Sequence, residues 1–341
     1  MKAVFLAFGT MGAGLDLREL ESLVSEVVIY DDSPDATVAE RIGDAEIVFT
    51  NKIRLTRELL ENAPNLRFIA LTATGTDNID TECARSHGIG VANIRHYCTQ
   101  SVVEHVFGVL LSITHSLGQY HRSVRAGDWQ RSTDFCMLHY PVKELSAMTL
   151  GVVGYGALGQ GVARIAREFG MQVLVSARPG AESVPDDRVG FGQLLAGSDV
   201  ISLHCPLDDD TRNLFGAREF EAMKRTAILI NTARGGLVDS QALADALESG
   251  QIAAAAVDVL PEEPPVGGDP LLDYDGDNLI VTPHIAWATD EARQNAIDEL
   301  AANTRAFLDG IERNRICLLY TSPSPRDPLR YLVCRLLLEK R

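Results

Sequence analysis

The sequence predicts an α/β protein built from two parallel-sheet domains. Its 341 residues exceed one ordinary domain. Apolar residues make up 46% and aromatics only 6%, the Ala/Val/Leu/Ile-rich balance that suits strands buried on both faces. Short apolar runs also alternate with helical stretches twice along the chain, and that alternation places helices on both sides of a parallel sheet.

In the first series, AVFLAF (3–8), EVVIYD (26–31), AEIVFTN (45–51), LRFIALT (66–72) and GIGVANI (88–94) read as strands. RLTRELLENA (54–63) and TECARSHG (81–88) read as helices between them. FGTMGAG (8–14) follows the first strand, but no helix of close-packing small residues comes after it, so it reads as a turn. SVVEHVFGVLLSITHSLGQYHRSV (101–124) reads as one long helix, apolar on more than one face and expected to be buried between the domains. The irregular, aromatic-rich stretch 125–148 is long for a loop and suggests a partner contact or an oligomer arm.

The second series opens with TLGVVGYGALGQGVARIAREFGMQVLVSARPG (149–180): strand, glycine turn, helix, strand. Gly154 permits the tight turn, Gly156 lets a pyrophosphate approach the backbone, and Gly159 lets helix and strand pack closely. Ala157 and Leu158 open the helix, whose unpaired N–H groups face the phosphates. This context points to a Rossmann-like domain binding a dinucleotide. Its second strand ordinarily ends in an acid that accepts from the ribose hydroxyls. Here Ser176, Ala177 and Arg178 stand instead. Ala177 cannot repel a 2′-phosphate and Arg178 can pair with one, so NADP(H) is expected ahead of NAD(H).

Further strands follow at 199–207, 227–233, 253–260 and 278–285, before a final helix at 290–311. That helix can pack back on the first domain and make it discontinuous. The expected organisation is therefore 1–98 with 291–316 as a substrate-binding domain and 99–290 as the NAD(P)-binding domain, with an active-site cleft between them. Residues 317–341 break in composition with the helix before them. CLLYTSPSPRD resembles translated sequencing-adaptor read-through, so this tail is expected to carry no function.

The formal charge of −16 argues against nucleic acid or an acidic membrane surface as partner. Six cysteines without a CxxC pair suit a reduced cytoplasmic protein, and eight histidines without an HExxH-type spacing give no metal site. MKAVFLAF reads as a first strand rather than a signal peptide, and no run is long enough to span a bilayer.

Three segments place polar groups just after apolar strands: INTARGGLVD (230–239), DVLPEEPP (258–265) and VTPHIAWAT (281–289). Ligands of open α/β sheets bind at that edge. Together with the glycine turn, LTATGTDNID (71–80), VVEHVFGVLL (102–111) and HCPLDDDTRNLF (204–215), they resemble the D-isomer-specific 2-hydroxyacid dehydrogenase family over residues 1–316. The resemblance is strongest to its glycerate dehydrogenases, or hydroxypyruvate reductases. It implies reduction of hydroxypyruvate or glyoxylate to D-glycerate or glycolate by a homodimer; the arm around 128–143 is our own expectation for part of the contact. It also implies a catalytic set of Arg234, Glu263 and His284. His284 would give the proton, Glu263 would orient it and favour the imidazolium, and Arg234 would anchor the carboxylate and polarise the carbonyl.

The family further implies that backbone N–H groups of Ala73, Thr74, Gly75 and Thr76 hold the substrate carboxylate. Lys52, in TNK after a strand, is read as facing the same pocket or as an exposed helix-start lysine, and Trp287, in HIAWAT, as closing that pocket or packing in the core. Val102, Cys205, Pro206, Thr211, Thr232, Ala233, Asp258, His284 and Ala286 would line the cofactor groove, Asp258 at the nicotinamide carboxamide. A phosphoglycerate or D-lactate type of dehydrogenase is the alternative within the family. A non-catalytic, dinucleotide-sensing corepressor on the same scaffold is the alternative outside it.

Overall fold

Residues 1–181 and 183–317 are described by a computed structural model. The expected tail, apart from its first residue, lies outside the described residues. The chain divides into two units, Met1–Tyr97 with the residues from Arg293 onward, and Cys98–Ala292.

In the first unit, β1 (Lys2–Leu6), β2 (Glu26–Ile29), β3 (Ile47–Thr50), β4 (Phe68–Leu71) and β5 (Gly90–Ala92) are parallel, in the order β2-β1-β3-β4-β5. The central strands IVFT and FIAL are buried at every position, as apolar runs without alternation require. Helix Arg57–Glu61 starts where the Thr56 hydroxyl accepts from Leu59 N–H at 3.4 Å. Helix Thr81–Ser86 starts where Asp80 accepts from Cys83 N–H at 2.8 Å. A further helix, Asp35–Ile42, follows β2 and is absent from the sequence reading. Phe307, on the final helix, stacks on Phe68 with centroids 4.4 Å apart. A short strand, Arg315–Cys317, adds antiparallel to β5. It includes the first residue assigned to the tail.

In the second unit, β6 (Thr149–Val153), β7 (Gln172–Val175), β8 (Val200–Leu203), β9 (Ile228–Asn231), β10 (Ala254–Val257) and β11 (Leu279–Val281) are parallel, in the order β7-β6-β8-β9-β10-β11. Beyond β7 a further strand is reduced to one parallel bridge, Ser176 to Val189. Ala177 N–H donates to Val189 O at 2.8 Å and Val189 N–H to Val175 O at 2.9 Å. With that remnant counted, the order is that of the doubly wound dinucleotide folds.

The long helix expected at 101–124 is two helices, Thr99–Thr114 and Leu117–Arg125, bent by 57°. Ser116 takes a left-handed φ of 50° and its hydroxyl donates to Pro141 O at 2.8 Å, which ends one helix and begins the next. Val102, Val103, Val106, Phe107 and Leu110 sit in the core of the second unit with Val152 and Val162. Among the described residues no single helix is long and apolar enough to cross a membrane. Residues 126–148 form two short helical pieces, Asp128–Arg131 and the 3-10 turn Leu145–Ala147, joined by an irregular segment on which Phe135 and Leu138 are 91% and 81% exposed.

Candidate active site

β9, β10 and β11 are adjacent and parallel, so the segments leaving their C-terminal ends meet at one edge of the second unit. His284, three residues beyond β11, lies against Glu263, from the loop after β10. Its Nδ1 is 2.6 Å from Glu263 Oε2. Glu263 Oε1 accepts in turn from Leu260 N–H at 3.0 Å, which fixes the carboxylate on its own loop. Both side chains keep partial exposure, 26% for His284 and 31% for Glu263, so the pair can be reached from outside. With Nδ1 occupied, Nε2 is the ring nitrogen that can exchange a proton with a substrate.

Asp258, at the end of β10, is buried and holds the segment that carries His284. Its Oδ1 accepts from the Thr282 hydroxyl at 2.5 Å and from Ile285 N–H at 2.9 Å, and its Oδ2 from Ala286 N–H at 2.9 Å. His284 N–H donates to Asp258 O at 2.8 Å, and His284 itself has a φ of 56°. The turn is thus wound around one carboxylate, and the strained histidine backbone is held by four hydrogen bonds to a single residue. Sequence reading gave Asp258 only a cofactor role and did not see this one.

Arg234 follows β9 in extended backbone, and its Nη1 donates to Ala233 O at 2.7 Å. Gly235 beside it was also missed. A Cβ there would lie 2.0 Å from the carbonyl carbon of Leu260. Only a glycine lets the Arg234 segment press against the segment that leads to Glu263.

The family model for the D-isomer specific 2-hydroxyacid dehydrogenase NAD binding domain matches residues 107–286. A glycerate dehydrogenase of Methylorubrum extorquens is 46% identical over 278 residues, 81% of this chain and 87% of that protein. The chain belongs to the D-isomer-specific 2-hydroxyacid dehydrogenases. A hydroxypyruvate reductase of Blautia hydrogenotrophica is 40% identical over 317 residues, 91% of this chain and 98% of its own length. Among solved structures, a D-lactate dehydrogenase of Aquifex aeolicus complexed with NAD and lactic acid superposes with a TM-score of 0.79 at 29% identity, covering 94% of this chain and all of that one.

The glycine turn of this dehydrogenase fits a dinucleotide. Gly154 has φ 91°, and a Cβ on it would lie 2.4 Å from Cys205 N. A Cβ on Gly159 would lie 2.1 Å from Gly154 O, so helix Ala157–Glu168 can close on β6 only without one. A Cβ on Gly156 would meet nothing within 4 Å, which leaves the approach to the helix N-terminus open. The hydroxyl of Thr232 is shut off from solvent without a protein partner among the described residues, a donor suited to a ligand. The family thus brings NAD(P) binding, and these residues can supply it.

Other expected groove residues serve the scaffold. Val102 and Ala286 are core residues with almost no surface to offer a cofactor. Leu158 packs against that core. Thr211 is buried; its hydroxyl accepts from Asp208 N–H at 2.7 Å, and its one proton is shared between Pro206 O and Asp208 Oδ1, each 2.9 Å away. It ties the turn after β8 that carries Cys205 and Pro206. Burial pushes the Cys205 thiol up to about 11, so it stays protonated. Ser176 and Ala177 are buried, and the Ser176 hydroxyl donates inward to Ala177 O at 2.6 Å. Arg178 is exposed and already paired, its Nη2 lying 2.7 Å from Asp210 Oδ2 and 3.8 Å from Asp208 Oδ2.

In the first unit, the carbonyls of Ala73, Thr74 and Thr76 accept from Ile94 N–H, the Asn93 side chain and Ile79 N–H. No acceptor within the described residues is recorded for the N–H groups of residues 73–76. Lys52 is exposed and Trp287, in the second unit, is half-buried. Among the described residues no group of three His, Cys, Asp or Glu side chains could hold a metal ion.

Proposed function

We propose that this dehydrogenase reduces hydroxypyruvate or glyoxylate to D-glycerate or glycolate, with His284 as general acid. The 2.6 Å contact between His284 and Glu263 carries the reading, because it aims one ring nitrogen at Glu263 and leaves the other for the substrate. Bound NAD(P)H supplies the hydride. Arg234, charged at every working pH, holds the substrate carboxylate and draws electron density from the carbonyl. The N–H groups of residues 73–76, without a recorded acceptor among the described residues, suit the same carboxylate, with Lys52 and Trp287 assigned to the pocket. Asp258, Thr232, Ala233, Cys205 and Pro206 are assigned to the nicotinamide side, Asp258 also as the anchor of the His284 turn.

The names of the relatives support this choice of substrates. Ala177 and Arg178 favour NADP(H), with NAD(H) also accepted. We further assign a homodimer joined in part through the exposed arm around 128–143, and a cytoplasmic setting in which the cysteines stay as thiols. The test is oxidation of NADPH and NADH by the purified chain with hydroxypyruvate and glyoxylate. His284→Ala is expected to lose roughly 100- to 10,000-fold in kcat. A wild-type rate no higher than that of the variant would overturn the assignment.

A further inference from the structure

We propose that Asp210 sets the choice between the two nicotinamide nucleotides by competing with a 2′-phosphate for Arg178. This rests on the dinucleotide reading above and adds a residue that the glycine fingerprint does not contain. The strand end where the ribose acid is expected holds only the buried Ala177 and an inward-turned Ser176 hydroxyl. The cation beside it is met by a carboxylate from another loop, 32 residues on, at 2.7 Å. A carboxylate from the turn after β8 thus stands beside that strand end.

The two acids of that turn differ in how they are held. Asp208 is built in: its Oδ1 accepts from Thr211 and Asp210 N–H groups at 2.9 and 3.1 Å, and from the Thr211 hydroxyl at 2.9 Å. That hydroxyl, more than Arg178, holds the Asp208 carboxyl below its ordinary value. The Asp210 carboxylate, 72% exposed, has no partner but Arg178 among the described residues. An ion pair this exposed is weak and exchanges readily. A 2′-phosphate, with up to two negative charges and several acceptor oxygens, makes a stronger partner for the guanidinium. To take Arg178, however, it must displace Asp210 and sit near Asp208. NADH makes no such demand and leaves the pair closed. The site therefore admits both nucleotides, with Asp210 narrowing the preference for the phosphorylated one that Ala177 and Arg178 create.

Fluorescence titrations of NADPH and NADH against the full chain at low ionic strength test this, using wild type, Asp210→Asn, Arg178→Ala and the double variant. Asp210→Asn is expected to tighten NADPH by roughly three- to tenfold. NADH affinity should change less than twofold, and the gain should vanish when Arg178 is also replaced. Unchanged NADPH affinity, equal tightening of both nucleotides, or a gain that persists without Arg178 would each overturn the proposal. If wild type binds neither nucleotide, the dinucleotide reading fails and takes this proposal with it. If NADPH binds but Asp210→Asn does nothing, only the role of Asp210 fails. Asp210→Ser serves as a second variant, since the Asp208–Thr211 turn does not depend on the Asp210 side chain.

Discussion

His204 and His284 follow β8 and β11 in opposite surroundings. His284 sits against a carboxylate within reach of the outside. His204 has its Nε2 2.8 Å from the Ser202 hydroxyl, while its Nδ1 is enclosed without a partner among the described residues. Burial pushes the His204 imidazole down to about 4 from an ordinary 6.5. A histidine whose folded value is lowered is stable as the neutral ring, so the folded chain refuses a proton that the unfolded chain accepts. Stability attributable to His204 is therefore complete above pH 6.5 and falls as the pH drops toward 4, by on the order of 3 kcal/mol at most. Urea unfolding of wild type and His204→Gln at about pH 7 and about pH 4.5 checks it. The wild type should lose more stability than the variant on acidification, and a parallel loss in both would remove His204 as the cause.

At the scale of elements, the segments after β9, β10 and β11 interlock through single atoms. Gly235→Ala must push the Arg234 segment away from Leu260, since the added carbon would lie 2.0 Å from its carbonyl carbon. The expected cost is about 1–3 kcal/mol of stability, read as a lower Tm. A rise in KM should accompany it as Arg234 leaves its place, and a variant with wild-type KM and Tm would show that the contact relaxes freely. The strands of this edge were legible because buried parallel strands are plain apolar runs; Arg234, Glu263 and His284 were singled out by the family resemblance together with their places just after those strands. Gly235 and the anchoring role of Asp258 were not legible, since both depend on what lies across the sheet rather than along the chain. The Asp210–Arg178 pair escaped for the same reason. The helix break at Ser116 escaped because apolar periodicity runs through it, while a left-handed residue leaves no mark on that pattern. Helix Asp35–Ile42 escaped because only two of its residues, Val38 and Ile42, are buried apolar ones.

At the scale of the whole molecule, two doubly wound units share the core strand order 2-1-3-4-5, to which the first adds the antiparallel strand Arg315–Cys317 and the second the parallel β11 together with the Val189 remnant. A chain of charge −16 repels its own copies, so an association between copies must draw on apolar surface. The arm offers it, with Trp129 and Val142 also more than half exposed. Replacing Phe135 and Leu138 together by Asp is expected to convert a dimer to a monomer in sedimentation or size-exclusion measurements. A wild-type chain already monomeric at working concentration would remove the arm from that role.

Two acids act on His284 in separate ways. Asp258 takes hold of the main chain at and just after it and of the Thr282 side chain before it, and Glu263 takes hold of the ring. The first removes the freedom of the backbone to swing, and the second removes the rotation of the side chain. What is left to this histidine is whether it carries a proton, so a residue with three ways to vary has been reduced to the one that a reduction of a carbonyl requires.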